Sequence, residues 1–159
     1  MSNATLEMSE IIEENPLGNF QKLVMLFCAL IIVFDGFDVL AIAFAAPALS
    51  AALDIPKNEL AYVFSAGLFG MMIGALLMGP VGDKFGRRYA VIFSVVVFAL
   101  FTLLTGFIDS YNELLLLRFL TGLGLGGAMP NATALITEYV SSRQRNVAVA
   151  VIFLGMPIG

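Results

Sequence analysis

Gly79-Pro80-Val81-Gly82-Asp83-Lys84-Phe85-Gly86-Arg87-Arg88 is a short polar stretch with a long apolar run on either side, and its reading decides the fold. The charges of Asp83, Lys84, Arg87 and Arg88 cannot sit in hydrocarbon, where one charge at the centre costs about 3 kcal/mol or more. The stretch therefore lies in water at a membrane face and joins two transmembrane helices through a tight turn. The glycines and Pro80 supply backbone freedom and a helix stop, and Asp83, placed ahead of the next helix, suits its N-terminal dipole. Lys84, Arg87 and Arg88 mark the face as cytoplasmic. A plain positive-inside loop explains these basic residues but not the glycines or Asp83.

Composition agrees with an all-α integral membrane protein: the 159 residues are 60% hydrophobic and 13% charged, well outside the range of a soluble domain. The formal net charge of −4 says little, because orientation follows Lys and Arg in short loops and largely ignores acids. Cys28 lies in an apolar run and, as the single cysteine, forms no intrachain disulfide; it reads as a small filler. The chain has no His, which removes histidine acid–base chemistry and His-ligated metals. An embedded enzyme would also need a nucleophile–base pair, and none is present. We therefore expect no catalytic group, no metal, no cofactor and no nucleic-acid partner.

Residues 1–22 read as a polar, acidic cytoplasmic tail without a signal peptide's basic start or cleavage site. Asn3-Ala4-Thr5 and Asn131-Ala132-Thr133 fit glycosylation sequons but fall in a tail and in a membrane segment, where that machinery has no access. The first apolar run, about 23–49, is long enough for a tilted span and carries Asp35-Gly36-Phe37-Asp38. At 1.5 Å per residue the two carboxylates lie roughly 18 and 22 Å from the cytoplasmic end, one turn apart. A loop at this point would leave two halves each too short to span. Intramembrane carboxylates by default mark an ion or substrate path, and Gly36 lets a neighbour approach the backbone between them.

A second run, 60–81, holds Gly70 and Gly74 at the small-xxx-small spacing that permits close helix contact. A third run, 89–108, is apolar and uncharged and faces lipid or fills space. The fourth, 114–139, contains Arg118 and then Gly122, Gly124, Gly126 and Gly127. These glycines satisfy Gly-x-Gly-x-x-Gly, but a dinucleotide site needs a strand before them, so they are read as helix-packing positions. Arg118 lies roughly 24 Å from the cytoplasm, close to the depth of Asp38. It either serves the bundle interior or snorkels to the interface. Glu138 closes this run level with Arg87 and Arg88, where carboxylate–guanidinium pairing can staple two hairpins. Residues 146–159 read as the start of a fifth helix.

Lys22, Lys84, Arg87, Arg88, Arg143 and Arg145 fall on one side of the bilayer and Lys57 on the other, with Arg118 inside a helix. The N-terminus is therefore expected inside. Gly79, Asp83, Lys84, Gly86, Arg87 and Arg88 together resemble the signature loop between the second and third helices of major facilitator superfamily transporters. Asp35-Gly36-Phe37-Asp38, Arg118 to Gly127 and Glu138 narrow the resemblance to the aromatic acid:H⁺ symporter branch. The resemblance implies a twelve-helix transporter of two six-helix halves in a bacterial inner membrane, importing benzoate-like or hydroxybenzoate-like anions with protons. Residues 23–159 would then be a partial N-terminal half, with four full helices and the start of a fifth, lacking the C-terminal half that completes a central cavity. Asp35, Asp38 and Arg118 would handle proton and substrate. Gly79, Asp83, Lys84, Gly86, Arg87, Arg88 and Glu138 would form a gate. Transport of another organic anion or sugar acid, or a tetraspan scaffold, are the alternatives; a scaffold leaves Asp35, Asp38 and Arg118 without a reason to be in the membrane.

Overall fold

Four apolar helices and one short one carry the chain: α1 Asn19–Ala52, α2 Leu60–Phe85, α3 Arg87–Leu104, α4 Tyr111–Tyr139 and α5 Arg145–Phe153, with a 3-10 turn at Thr105–Phe107 after α3. The structure is a computed structural model and describes residues 18–56, 58–140 and 144–155. The acidic tail up to residue 17, Lys57, Arg143 and the end of the expected fifth helix lie outside the described residues. No strand occurs among the described residues. Among the described residues, four segments of 34, 26, 21 and 29 residues are long and apolar enough to cross a membrane. Their side chains explain the architecture, since Phe44 and Phe107 are 82% and 83% exposed, a surface that water penalises and lipid does not. The chain is a multi-pass membrane protein.

Proline does not end these helices. Pro47, Pro80 and Pro130 lie inside α1, α2 and α4, and membrane helices tolerate the lost N–H because neighbours and local adjustment satisfy the freed carbonyl. The expected stop at Pro80 is therefore wrong: α2 runs on to Phe85, and Gly86 alone separates it from α3. Gly86 takes φ 99°, a conformation open to glycine and costly for residues with a Cβ. Its N–H donates to the Gly82 carbonyl at 3.0 Å, closing α2, while its own carbonyl accepts from Tyr89 and Ala90 at 3.2 and 3.3 Å, opening α3. Asp83 accordingly sits in the last turn of α2 rather than ahead of α3, whose N-cap is Gly86 without a side-chain cap.

The helices divide between two compact units. The first takes the described residues of Met1–Phe37 and Thr133–Gly159, the second Asp38–Ala132. In the first unit Gln21 donates its Nε2 to the Tyr139 carbonyl at 2.7 Å, and the Phe20 and Tyr139 rings meet edge to face at 5.7 Å. Cys28, Ile32, Ile136 and Ile152 are buried there.

The second unit has an apolar cluster at one end, with Ile55, Val63 and Leu114 buried among Leu49, Leu53, Leu60, Ile108, Tyr111 and Leu115. Two hydrogen bonds tie the connecting segment into it, from Ser50 Oγ to the Ile55 carbonyl at 2.6 Å and from the Tyr111 hydroxyl to the Glu59 carbonyl at 3.3 Å. Farther along, α2 and α4 touch backbone to backbone. A Cβ on Gly70 would strike the Phe119 carbonyl, one on Gly74 the Leu123 carbonyl, one on Gly122 the Gly67 carbonyl and one on Gly126 the Met71 carbonyl. Gly124 turns toward α3, against Ser94 and Phe98, and Gly127 lies between Ser94 of α3 and Met78 of α2. Without a hydrophobic drive between helices in lipid, this fit of small residues supplies the dispersion contact that holds them.

Gly74→Ala and Gly126→Ala should each destabilise the protein by about 1–3 kcal/mol through overpacking, seen as a lower unfolding midpoint in detergent. Gly79→Ala should not, because nothing lies within 4 Å of a Cβ there. Equal midpoints in all three would contradict the backbone contact.

Candidate functional site

Arg118 stands one turn before Gly122, so the contact that presses α4 onto α2 also sets where its guanidinium lies. The residue is 9% exposed, which rules out snorkelling to a lipid interface. Its Nη1 donates to both carboxylate oxygens of Asp38 on α1, at 3.2 and 3.3 Å. The two side chains are 11% and 14% exposed. One nitrogen thus faces two oxygens, and the guanidinium does not spend its planar fork on this partner. Arg118 Nε is buried without a hydrogen-bond partner, a donor whose desolvation is uncompensated by about 1–3 kcal/mol.

Asp38 and Arg118 line a cavity of about 180 Å³ together with Val39, Ile42, Val63, Phe64, Gly67, Leu68, Met71, Gly122 and Leu125. The lining is apolar apart from the ion pair. Such a space suits a small organic molecule with one charged end, since few polar groups amid apolar walls fix orientation. Asp35 is 3% exposed, on the preceding turn of α1 and within the first unit. Glu113 to Asp109 and the hinge acids lie elsewhere, and no cluster among the described residues could hold a metal.

At the hinge, Arg87 pairs with Asp83 across Gly86, both partly in solvent, and Lys84 Nζ stands 5.4 Å from the Phe85 ring centre. Glu138 is exposed and belongs to the first unit, whereas Arg87 and Arg88 belong to the second; its pairing with them rests on the sequence reading. Gly79 is open to its surroundings.

Sequence reasoning missed Asn131, which is fully buried. Its Nδ2 donates to the Met78 carbonyl of α2 at 3.0 Å and to the Gly127 carbonyl of its own helix at 2.9 Å. It clamps the two helices near Pro80 and Pro130. The signal was a lone amide in a long apolar run, which membrane helices use for interhelical hydrogen bonds. Met71 carried no signal as a cavity wall, being an apolar residue in an apolar run, and Gly67 reads in the sequence as one more packing glycine, whereas a Cβ there would meet only the Arg118 carbonyl, at 3.8 Å.

Residues 26–159 match the family model for the Major Facilitator Superfamily. The 4-hydroxybenzoate transporter PcaK of Pseudomonas putida is 43% identical over 155 residues, covering 98% of this chain and 35% of that protein. The gallate transporter of Pseudomonas putida is 38% identical, covering 99% and 35%, and the benzoate transport protein of Acinetobacter baylyi 33%, covering 97% and 34%. The chain thus spans about a third of the length of the curated relatives it matches.

Arg118→Met alone leaves the Asp38 charge buried without its partner and should destabilise by about 3–5 kcal/mol, while the double variant Asp38→Asn/Arg118→Met should recover most of that loss. Thermal unfolding of the purified protein in detergent measures both. A double variant no more stable than Arg118→Met would show that the two side chains are not energetically coupled.

Proposed function

We propose a function on one premise: the chain belongs to the Major Facilitator Superfamily. The protein that carries it is a secondary transporter that brings small aromatic carboxylates, of the benzoate or hydroxybenzoate class, across a bacterial inner membrane together with protons. The observation that carries this reading is the buried Asp38–Arg118 ion pair on an apolar cavity. The names of the relatives, which are transporters of 4-hydroxybenzoate, gallate and benzoate, support the substrate class.

Coupling follows from charge balance in a low-dielectric site. Arg118 with Asp38 ionised is a neutral pair, and adding a substrate carboxylate would leave a net negative charge away from water. Protonation of Asp38 removes that charge and frees the guanidinium, which then accepts the substrate's carboxylate and restores neutrality. Proton and anion therefore favour each other's binding, as linkage requires of a symporter. Asp35, one turn away on α1, provides the next acceptor along the same helix. The count of Lys and Arg supports an N-terminus inside.

The hinge serves as the gate. Asp83 and Arg87, joined across Gly86, hold the α2–α3 hairpin, and Arg88, Lys84 and Glu138 supply further charges at the cytoplasmic face, with Gly79 giving clearance. Contacts made in one state and broken in the other shift populations without touching the substrate pocket.

Uptake of labelled 4-hydroxybenzoate by the complete protein in proteoliposomes tests the reading. It should depend on an imposed proton gradient, collapse with an uncoupler, and be abolished by Asp35→Asn or Asp38→Asn. Unchanged gradient-driven accumulation in both variants would refute the proton role. Asp83→Asn should bind ligand nearly normally yet move the inward-open to outward-open ratio roughly tenfold, the effect of about 1.4 kcal/mol. Cysteine accessibility on the cytoplasmic side reads that ratio, and a variant that transports like the parent would reduce the hinge to an anchor.

A further inference from the structure

Gly67 lies on the wall of the cavity, on the same α2 face as Gly70 and Gly74, yet its surroundings differ from theirs. A Cβ on Gly70 or Gly74 would collide with the α4 backbone, whereas one on Gly67 would meet only the Arg118 carbonyl, at 3.8 Å. That is ordinary van der Waals contact. Helix packing therefore does not require glycine at this position; what an added methyl group would occupy is cavity. The cavity measures about 180 Å³, and an apolar cavity of about 150 Å³ is known to admit benzene. The two volumes are of the same order, that of a single aromatic ring. Val63, Phe64, Met71 and Leu125 supply apolar walls for a ring face. Arg118 lines the same space and engages Asp38 through a single guanidinium nitrogen, Nη1, so its fork is not committed to that partner.

We propose that this cavity among α1, α2 and α4 seats the ring of a monocyclic aromatic carboxylate, with the carboxylate on Arg118, and that Gly67 sets how large a ring is admitted. The proposal rests on the transport reading above and adds to it a determinant of specificity. Gly67 acts by leaving space, and Met71, the flexible side chain one turn further along α2, closes the opposite limit. A single methyl group in an apolar pocket discriminates between ligands by about tenfold or more.

The test uses the complete protein in proteoliposomes and three probes: benzoate, 4-hydroxybenzoate and the bicyclic 2-naphthoate. Gly67→Ala should raise the KM for 4-hydroxybenzoate about tenfold more than that for benzoate. Met71→Ala, which enlarges the space, should admit 2-naphthoate that the parent excludes. A Gly67→Ala variant that shifts benzoate and 4-hydroxybenzoate alike, together with a Met71→Ala variant that still excludes 2-naphthoate, overturns the assignment. Failure of the parent to take up any of the three acids would instead remove the transport reading itself. If Gly67→Ala abolishes all uptake, the gain of 2-naphthoate by Met71→Ala still decides the matter.

Discussion

Glycines of α2 and α4 meet the carbonyl oxygens of the facing helix with no side chain between them, and the second unit is arranged around that contact. The reciprocity is what fixes the register: Gly70 and Gly74 accommodate Phe119 and Leu123, while Gly122 and Gly126 accommodate Gly67 and Met71. Sliding one helix by a residue would set a side chain against a backbone at most of these points. With the register held, Arg118 comes to the level of Asp38, and the space left between the three helices becomes the cavity. Asn131 adds a polar clamp at the other end of the same seam.

A buried ion pair is an expensive element to retain, because desolvation of two charges consumes much of their attraction and apolar residues of similar volume would often hold the helices as well. In the proposed transport cycle, the pair between α1 and α4 would do what a hydrophobic pair cannot, which is to exchange one charged partner for another. The geometry commits little of the guanidinium to Asp38, since a single nitrogen, Nη1, serves both of its oxygens. A fully satisfied fork would bind its carboxylate too completely to release it.

The fold was largely legible because helices in hydrocarbon announce themselves by length and apolarity, and charges can stand only where water does. The depth argument placed Asp38 and Arg118 at one level because a helix advances by a constant rise, and the side chains do meet. The hinge was misread where rules from water were carried over: Pro80 ends helices in solution, but inside a membrane the alternative to a helix is an unpaired backbone in lipid, so α2 continues. Asp83 was displaced from cap to last turn for the same reason. Asn131 escaped because its partners lie on another helix, and its neighbours in sequence are uninformative about them. The cavity was invisible because a void has no residue type; it exists only as the difference between Gly67 and what any other residue would fill.

Gly86 is the one residue between α2 and α3 outside a helix, with a salt bridge from Asp83 to Arg87 laid across it. In kinematic terms the hairpin has a joint with two torsions and a strut. As long as both helices stay straight, a change in the angle between them falls on φ and ψ of this single residue.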